Sequence, residues 1–215
     1  MFDRQKMKED KGNDTKDRLI QAAGEVFAER GFRAATVREI CKRANANPAA
    51  INYHFRDKQG LYSAVLQYHH RSGVQKSAEA EVSDNRPAEE RLEAFIRSFL
   101  LRILDTGRPE WYEKLMMREF SEPTIAFDQI IETSIRPLHN RLALIINELI
   151  GTEENEHQVR SCVMSIIGQC LYYHHAKRTI SRLYHQNFTL SDIEQLANHI
   201  TRFSIGGIRN LSGVL

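Results

Sequence analysis

Residues 36–58, TVREICKRANANPAAINYHFRDK, constrain the fold more than any other stretch, because start and stop signals for two short helices follow one another within it. Thr36 with Glu39 three residues on forms a capping box, which satisfies amide groups that the first turn of a helix leaves unpaired. Val37, Ile40, Cys41 and Ala44 then recur at helical spacing and give that helix one apolar face. Asn45-Ala46-Asn47 supplies residues that tolerate turn geometry. Pro48 restarts a helix where a missing amide hydrogen does no harm, with Asn47 as its cap. Two short helices joined by so tight a turn predict a helix-turn-helix, the unit that lays its second helix in the DNA major groove.

Helical spacing runs through the rest of the 215 residues, and clustered β-branched runs are absent, so an all-α fold is expected. A first helix opens near Asp14 or Thr15, buries Leu19, Ala22, Ala23, Val26 and Phe27, and is expected to end at Gly31. Asp57 opens a long fourth helix toward Lys76, and the polar SDNRP of residues 83–87 reads as a connection. Further helices are expected over residues 88–105, from Trp111 to Phe120, near Thr124, and from a restart at Pro137 to Gly151. Two long helices, near 155–182 and 190–211, close the chain. The organisation read from this pattern is a flexible polar arm at 1–13, a three-helix DNA-binding domain at 14–60, and a larger helical-bundle domain at 61–215 for effector binding and dimerisation.

Charge supports a nucleic-acid partner for the N-terminal part alone. Residues 1–60 hold 13 Lys and Arg against 9 Asp and Glu, while the formal net charge of the whole chain is only +2. Cys41, Cys162 and Cys170 lie inside apolar helical patterns without CxxC spacing, which fits a reducing cytosol. No apolar run approaches the roughly 20 residues that span a bilayer, and the start lacks a signal-peptide core, so a cytoplasmic protein without membrane contact is expected. No phosphate loop or nucleophile–base motif points to an enzyme or a cofactor.

The capped T-V-R-E-I helix, Asn52-Tyr53-His54-Phe55 and Asp57-Lys58 together resemble the TetR family of bacterial transcriptional regulators over about residues 15–65. The segments MREFSEPT (117–124), IRPLHNRL (135–142), SIIGQCLYY (165–173) and HITRFSIGGIRNL (199–211) are similar to the CecR-like C-terminal domain of one TetR subgroup. The resemblance implies a homodimer that binds double-stranded operator DNA, usually as a repressor, and is released by a small-molecule effector. Thr36 and Arg38 lie where the family touches phosphate or the groove edge, Thr36 being also a cap. Pro48, Ala49, Ala50 and Asn52 match the groove-facing side, and only Asn52 carries a bidentate amide suited to adenine. So few polar readers leave room for a contribution from DNA shape. Tyr53 and His54 match the pair that meets the sugar-phosphate backbone, although Tyr53 would also suit packing between helices. Lys58 fits a phosphate contact in the first turn of helix four, and Lys42, Arg43 and Arg56 are further backbone candidates.

Nine histidines invite a metal reading, but neighbours such as His69-His70 and His174-His175 point about 100° apart on a helix, and no HxxxH or Cys/His spacing supports a zinc site. No metal is expected. Trp111, Tyr112, Met116, Met117, Arg118 and Phe120 form a soft apolar cluster that suits either an effector pocket or the bundle core. Ile167, Leu171, His174, Ile200, Phe203 and Gly207 lie on the last two helices, which form the dimer interface in the resembled family and otherwise serve the core. Two other classes stay open at this point: a DNA-binding structural protein indifferent to sequence, and a helical enzyme.

Overall fold

The computed structural model describes residues 2–78, 85–104, 107–151, 156–185 and 188–211, the side chains of 2–13 and 69–78 excepted. The pair His69-His70 and the start of the connection at 83–84 therefore lie outside the described side chains. All regular elements among the described residues are helical: α1 (Phe2–Ala34), α2 (Val37–Ala44), α3 (Pro48–Phe55), α4 (Lys58–Ala78), α5 (Ala88–Ile103), α6 (Glu110–Ser121) and α7 (Ile125–Ile130). A π-helical turn at Ile131–Ile135 follows, then α8 (Arg136–Ile150), α9 (Glu156–His175), α10 (Lys177–Tyr184) and α11 (Leu190–Leu211). By their contacts these residues divide into two units, Met1–Ser72 with Gly107–Thr133, and Gly73–Thr106 with Ser134–Leu215.

In the first unit α1 buries Leu19, Ala23, Val26 and Phe27 completely, as their spacing predicts. Residues 2–13, expected as an arm, are continuous with this helix. The regular run of the helix ends at Gly31, as expected. With φ 76° and ψ 165° this residue breaks the helix, which then resumes to Ala34, and such a backbone is open essentially to glycine alone. Helix α6 packs on α1 because Gly24 has no side chain: a Cβ there would stand 2.5 Å from the Trp111 ring. Trp111 is buried, and its Nε1–H donates to Gln21 Oε1 at 3.3 Å. This packing places α6 and α7 with the N-terminal helices rather than with the bundle that follows.

The passage from α3 to α4 has no slack. Arg56 takes φ 74°, and the Gly60 N–H donates to Asp57 Oδ1 at 2.7 Å, so Asp57 caps α4. A Cβ at Gly60 would lie 2.0 Å from the Phe55 carbonyl oxygen, a clash that neither backbone can relieve alone.

The second unit is a bundle of α5, α8, α9 and α11 around Leu92, Ile96, Leu100, Ile146, Val163, Ile166 and Ile200. Ion pairs of Arg97 with Glu194 and of Arg209 with Glu89 join α5 to α11, and Arg91 with Glu148 joins α5 to α8. The restart expected at Pro137 takes the form of the π turn. A proline ring presses on the carbonyl four residues back in an α-helix, and the wider turn accommodates it. The helix expected over 155–182 is two helices, bent at Ala176 (φ −89°, ψ 7°), after which Ile180 is buried. Neither glycine nor proline marks that bend, so the apolar spacing reads straight through it.

The Gly60→Ala variant is expected to lose about 2 kcal/mol or more of stability. A urea titration should show a lower midpoint at an unchanged slope.

Candidate nucleic-acid interface

The geometry of α2 and α3 follows from their caps. Thr36 Oγ1 accepts from the Glu39 N–H at 3.2 Å, and Asn45 ends α2 in the left-handed conformation (φ 46°, ψ 51°). Asn47 Oδ1 accepts from the Ala49 N–H at 2.8 Å and starts α3, with Pro48 in its first turn. Ile51 and Phe55, four residues apart, are buried, which turns the opposite face outward. Pro48, Ala49 and Asn52 are exposed there, Ala50 and His54 are half-buried, and Tyr53 is 84% exposed. The His54 ring meets the Tyr53 ring edge-on at 4.8 Å. Thr36 and Arg38 are exposed at the start of α2. The surface thus offers two alanines, one amide and one phenol: apolar contact for a thymine methyl, a donor–acceptor pair for adenine, and a hydroxyl for a phosphate.

The basic side chains divide differently from the sequence expectation. Lys58 Nζ donates to Ala35 O at 2.8 Å and Arg33 O at 3.4 Å, and lies 4.6 Å over the Phe32 ring. It therefore closes the end of α1, with one N–H of the three left for any phosphate. Arg43 makes a forked pair with Glu29 (2.8 and 3.0 Å) and reaches Glu25 at 3.3 Å. Its hydrogen bond holds the Glu29 carboxyl below the ordinary range. Arg43 thus joins α2 to α1. Lys42 and Arg56 are exposed.

The effector cluster does not share one face of α6. Trp111 and Tyr112 are buried in the first unit, Met116 is half-buried, and Met117 and Phe120 are exposed. The Arg118 guanidinium lies against Gly31, where a Cβ would approach it to 2.5 Å, and it pairs with Glu122 at 3.8 Å. Glu119, beside it, is only 1% exposed, and Tyr62 donates to its carboxylate. Its place on the buried side of α6, one turn after the buried Leu115, marks it as a core position.

Of the six residues expected at a dimer interface, Ile200 is wholly buried in the protomer's own bundle. Ile167, Leu171 and His174 are half-buried, and Phe203 and Gly207 are exposed. Among the described residues no three His, Cys, Asp or Glu side chains converge to hold a metal ion, and no helix is long and apolar enough to cross a membrane.

Residues 19–65 match the model of the tetR family of bacterial regulatory proteins. Residues 88–208 match the C-terminal domain of the HTH-type transcriptional dual regulator CecR. The CecR protein of Shigella flexneri is 33% identical over 181 residues, which cover 79% of this chain and 80% of that relative. The chain belongs to the TetR family. Solved structures of TetR-like proteins share its fold. A TetR transcription regulator from Haloarcula marismortui superposes with a TM-score of 0.60 at 17% identity, over 90% of this chain and 98% of its own. The regulator FadR from Bacillus subtilis, solved in complex with stearoyl-CoA, gives 0.57 at 19% identity over 88% and 97%. This TetR-family chain is a DNA-binding transcriptional regulator, and its relatives are regulators rather than enzymes.

Substituting Asn52 by Ala is expected to remove about 1–3 kcal/mol of discrimination at one base pair and to leave binding to random DNA unchanged. Tyr53→Ala should weaken binding to every duplex by a similar factor. Selection of binding sites from random duplexes, followed by titration of each variant, checks both.

Proposed function

We propose that this regulator binds a pseudo-palindromic operator as a homodimer in the cytoplasm, represses transcription from it, and leaves it when a small-molecule effector binds. The observation that carries the dimer is the outer face of α9 and α11. Phe203, Met164, Tyr172 and Leu211 are 67, 54, 60 and 60% exposed on the protomer. Gly168, Gly206 and Gly207 lie on the same two helices, and a Cβ built on any of them meets nothing within 4 Å. A glycine inside a helix costs about 1 kcal/mol against alanine, and within the protomer nothing is gained by its small size. A second copy packed closely against these helices supplies the reason. Ile167, Leu171 and His174 would join that face, whereas Ile200 supports it from below.

Dimerisation also suits the DNA face. Two copies of α3 about 34 Å apart enter successive major grooves on one side of the duplex, so an apolar helix with one amide reader is doubled into a site of useful specificity. Pro48, Ala49, Ala50 and Asn52 read the groove in this account, and Thr36, Arg38, Tyr53 and His54 hold the backbone around it. Lys58 reaches a phosphate only with its remaining N–H.

For the effector, α6 and its surroundings are the proposed point of action. Met116, Met117 and Phe120 retain apolar surface for a ligand, while Trp111 and Arg118 bind α6 to α1 and Tyr112 is buried against Trp111. The stearoyl-CoA held by the structural neighbour FadR makes an acyl chain one reasonable class to screen. A shift from fully bound to fully released requires an effector to prefer the released state by roughly 5.5 kcal/mol, within reach of a buried drug-sized molecule. The name of the Shigella relative, a dual regulator, favours a second reading in which the same dimer also activates transcription.

Light scattering on the purified chain is expected to give the mass of two copies, and Phe203→Arg to give one copy with most operator affinity lost. A wild-type chain that stays monomeric at micromolar concentration while binding its selected site would overturn the dimer. Reporter transcription from the selected site, with and without the chain, separates repression from activation.

A further inference from the structure

We infer that Tyr62 and Glu119 are positioning residues for DNA reading: their buried hydrogen bond sets the roll of α4, and with it the angle at which α3 is presented. Glu119 is 1% exposed, and both its oxygens are engaged. Oε1 accepts from the Tyr62 hydroxyl, while Oε2 accepts from the Thr124 backbone N–H at 3.1 Å and from Thr124 Oγ1 at 2.9 Å. One carboxylate thus ties together α4, the last turn of α6 and the start of α7. A buried charge is tolerable only when its hydrogen bonds are all made. Here they are all made in a single arrangement of the three helices, and an apolar side chain would fill the same space without imposing any.

Tyr62 is itself 1% exposed, and its ring packs against Phe27 at 4.8 Å and Phe32 at 4.9 Å. Burial, with the hydrogen bond to Glu119, pushes the phenol far above its ordinary range, so it remains a donor. One turn earlier on the same side of α4, the Lys58 ammonium lies over Phe32 and bonds the Ala35 carbonyl. Lys58 and Tyr62, one turn apart on α4, are therefore both held against α1, and Tyr62 is held by Glu119 as well. Rotation of α4 breaks the Tyr62–Glu119 bond before it disturbs the apolar contacts, because a hydrogen bond is directional and ring packing is not. The same rotation moves α3, since the Arg56–Gly60 connection leaves no room for the two helices to turn independently. Asn52 and Tyr53 are consequently aimed by a bond between two residues that lie 57 positions apart in the chain.

The test uses the full chain and the duplex that wild type selects from a random pool, with a scrambled duplex of equal length as reference. Stoichiometric titration first gives the active fraction of each preparation. Tyr62→Phe keeps the ring and deletes only the donor, and Glu119→Gln keeps the shape but cannot accept from both Tyr62 and the Thr124 N–H. Each is expected to retain its active fraction and to lose about tenfold in the ratio of selected to scrambled affinity. The double variant should lose no more than the weaker single, because one unit is being broken. Thr124→Ala, which removes one donor at the edge of the network, should give a smaller loss and serves if Glu119→Gln does not fold. An unchanged ratio in Tyr62→Phe overturns the proposal. So do parallel losses on both duplexes with a reduced active fraction, which would mark a purely structural role, and additive losses in the double variant, which would make the two residues independent. Failure of wild type to select any sequence would instead sink operator recognition itself.

Discussion

The burial of Ile51 and Phe55 is the contact on which the rest depends. They lie one turn apart on α3 and are 1 and 6% exposed. With those two side chains fixed in the core, the helix has only one face to show, and that face carries Asn52 and Tyr53. The caps at Thr36 and Asn47 set where α2 and α3 begin, but capping alone would leave α3 free to rotate. Two buried anchors on an eight-residue helix remove that freedom. Their energetic contribution is the ordinary one of burying large apolar side chains, about 2 kcal/mol each. What matters for function is the direction they impose.

The unit that presents α3 is larger than a helix-turn-helix. Helix α6 packs on α1 through Trp111 and Gly24, and α7 is tied to it through Glu119 and Thr124. Charges that resemble DNA ligands by composition serve this assembly. Arg43 joins α2 to α1, and Lys58 closes the end of α1. The exposed face of α3 is correspondingly lean in cations and in polar base readers. In the proposed reading, affinity comes from duplication across a dimer and from backbone contacts around the groove, with a modest share from direct readout.

Local features were the legible ones. Thr36, Asn47 and Asp57 act on amides within three residues of themselves, so their roles are written in adjacent positions. The core face of α1 followed from spacing for the same reason. Contacts between distant segments were not legible: Trp111 meets Gln21 across 90 positions, and nothing in either neighbourhood announces the other. A glycine within a helix signals close approach without saying to what, and here Gly24 answers to α6 while Gly168 and Gly207 face outward. Ile200 and Phe203 share an apolar pattern, yet one points into the bundle and the other out. Periodicity identifies an apolar helix; it does not say which side meets a partner. The bend at Ala176 escaped because no proline or glycine accompanies it.

The central claim is that the outward face of α3 lies against DNA, and hydroxyl-radical footprinting of the protein's own side chains tests it most directly. Tyr53 and Tyr184 are both well exposed in the protomer, at 84 and 71%. Saturation with the selected duplex should slow oxidation of Tyr53 severalfold and leave Tyr184 unchanged. A Tyr53 that reacts as fast in the complex as in the free protein would contradict the account.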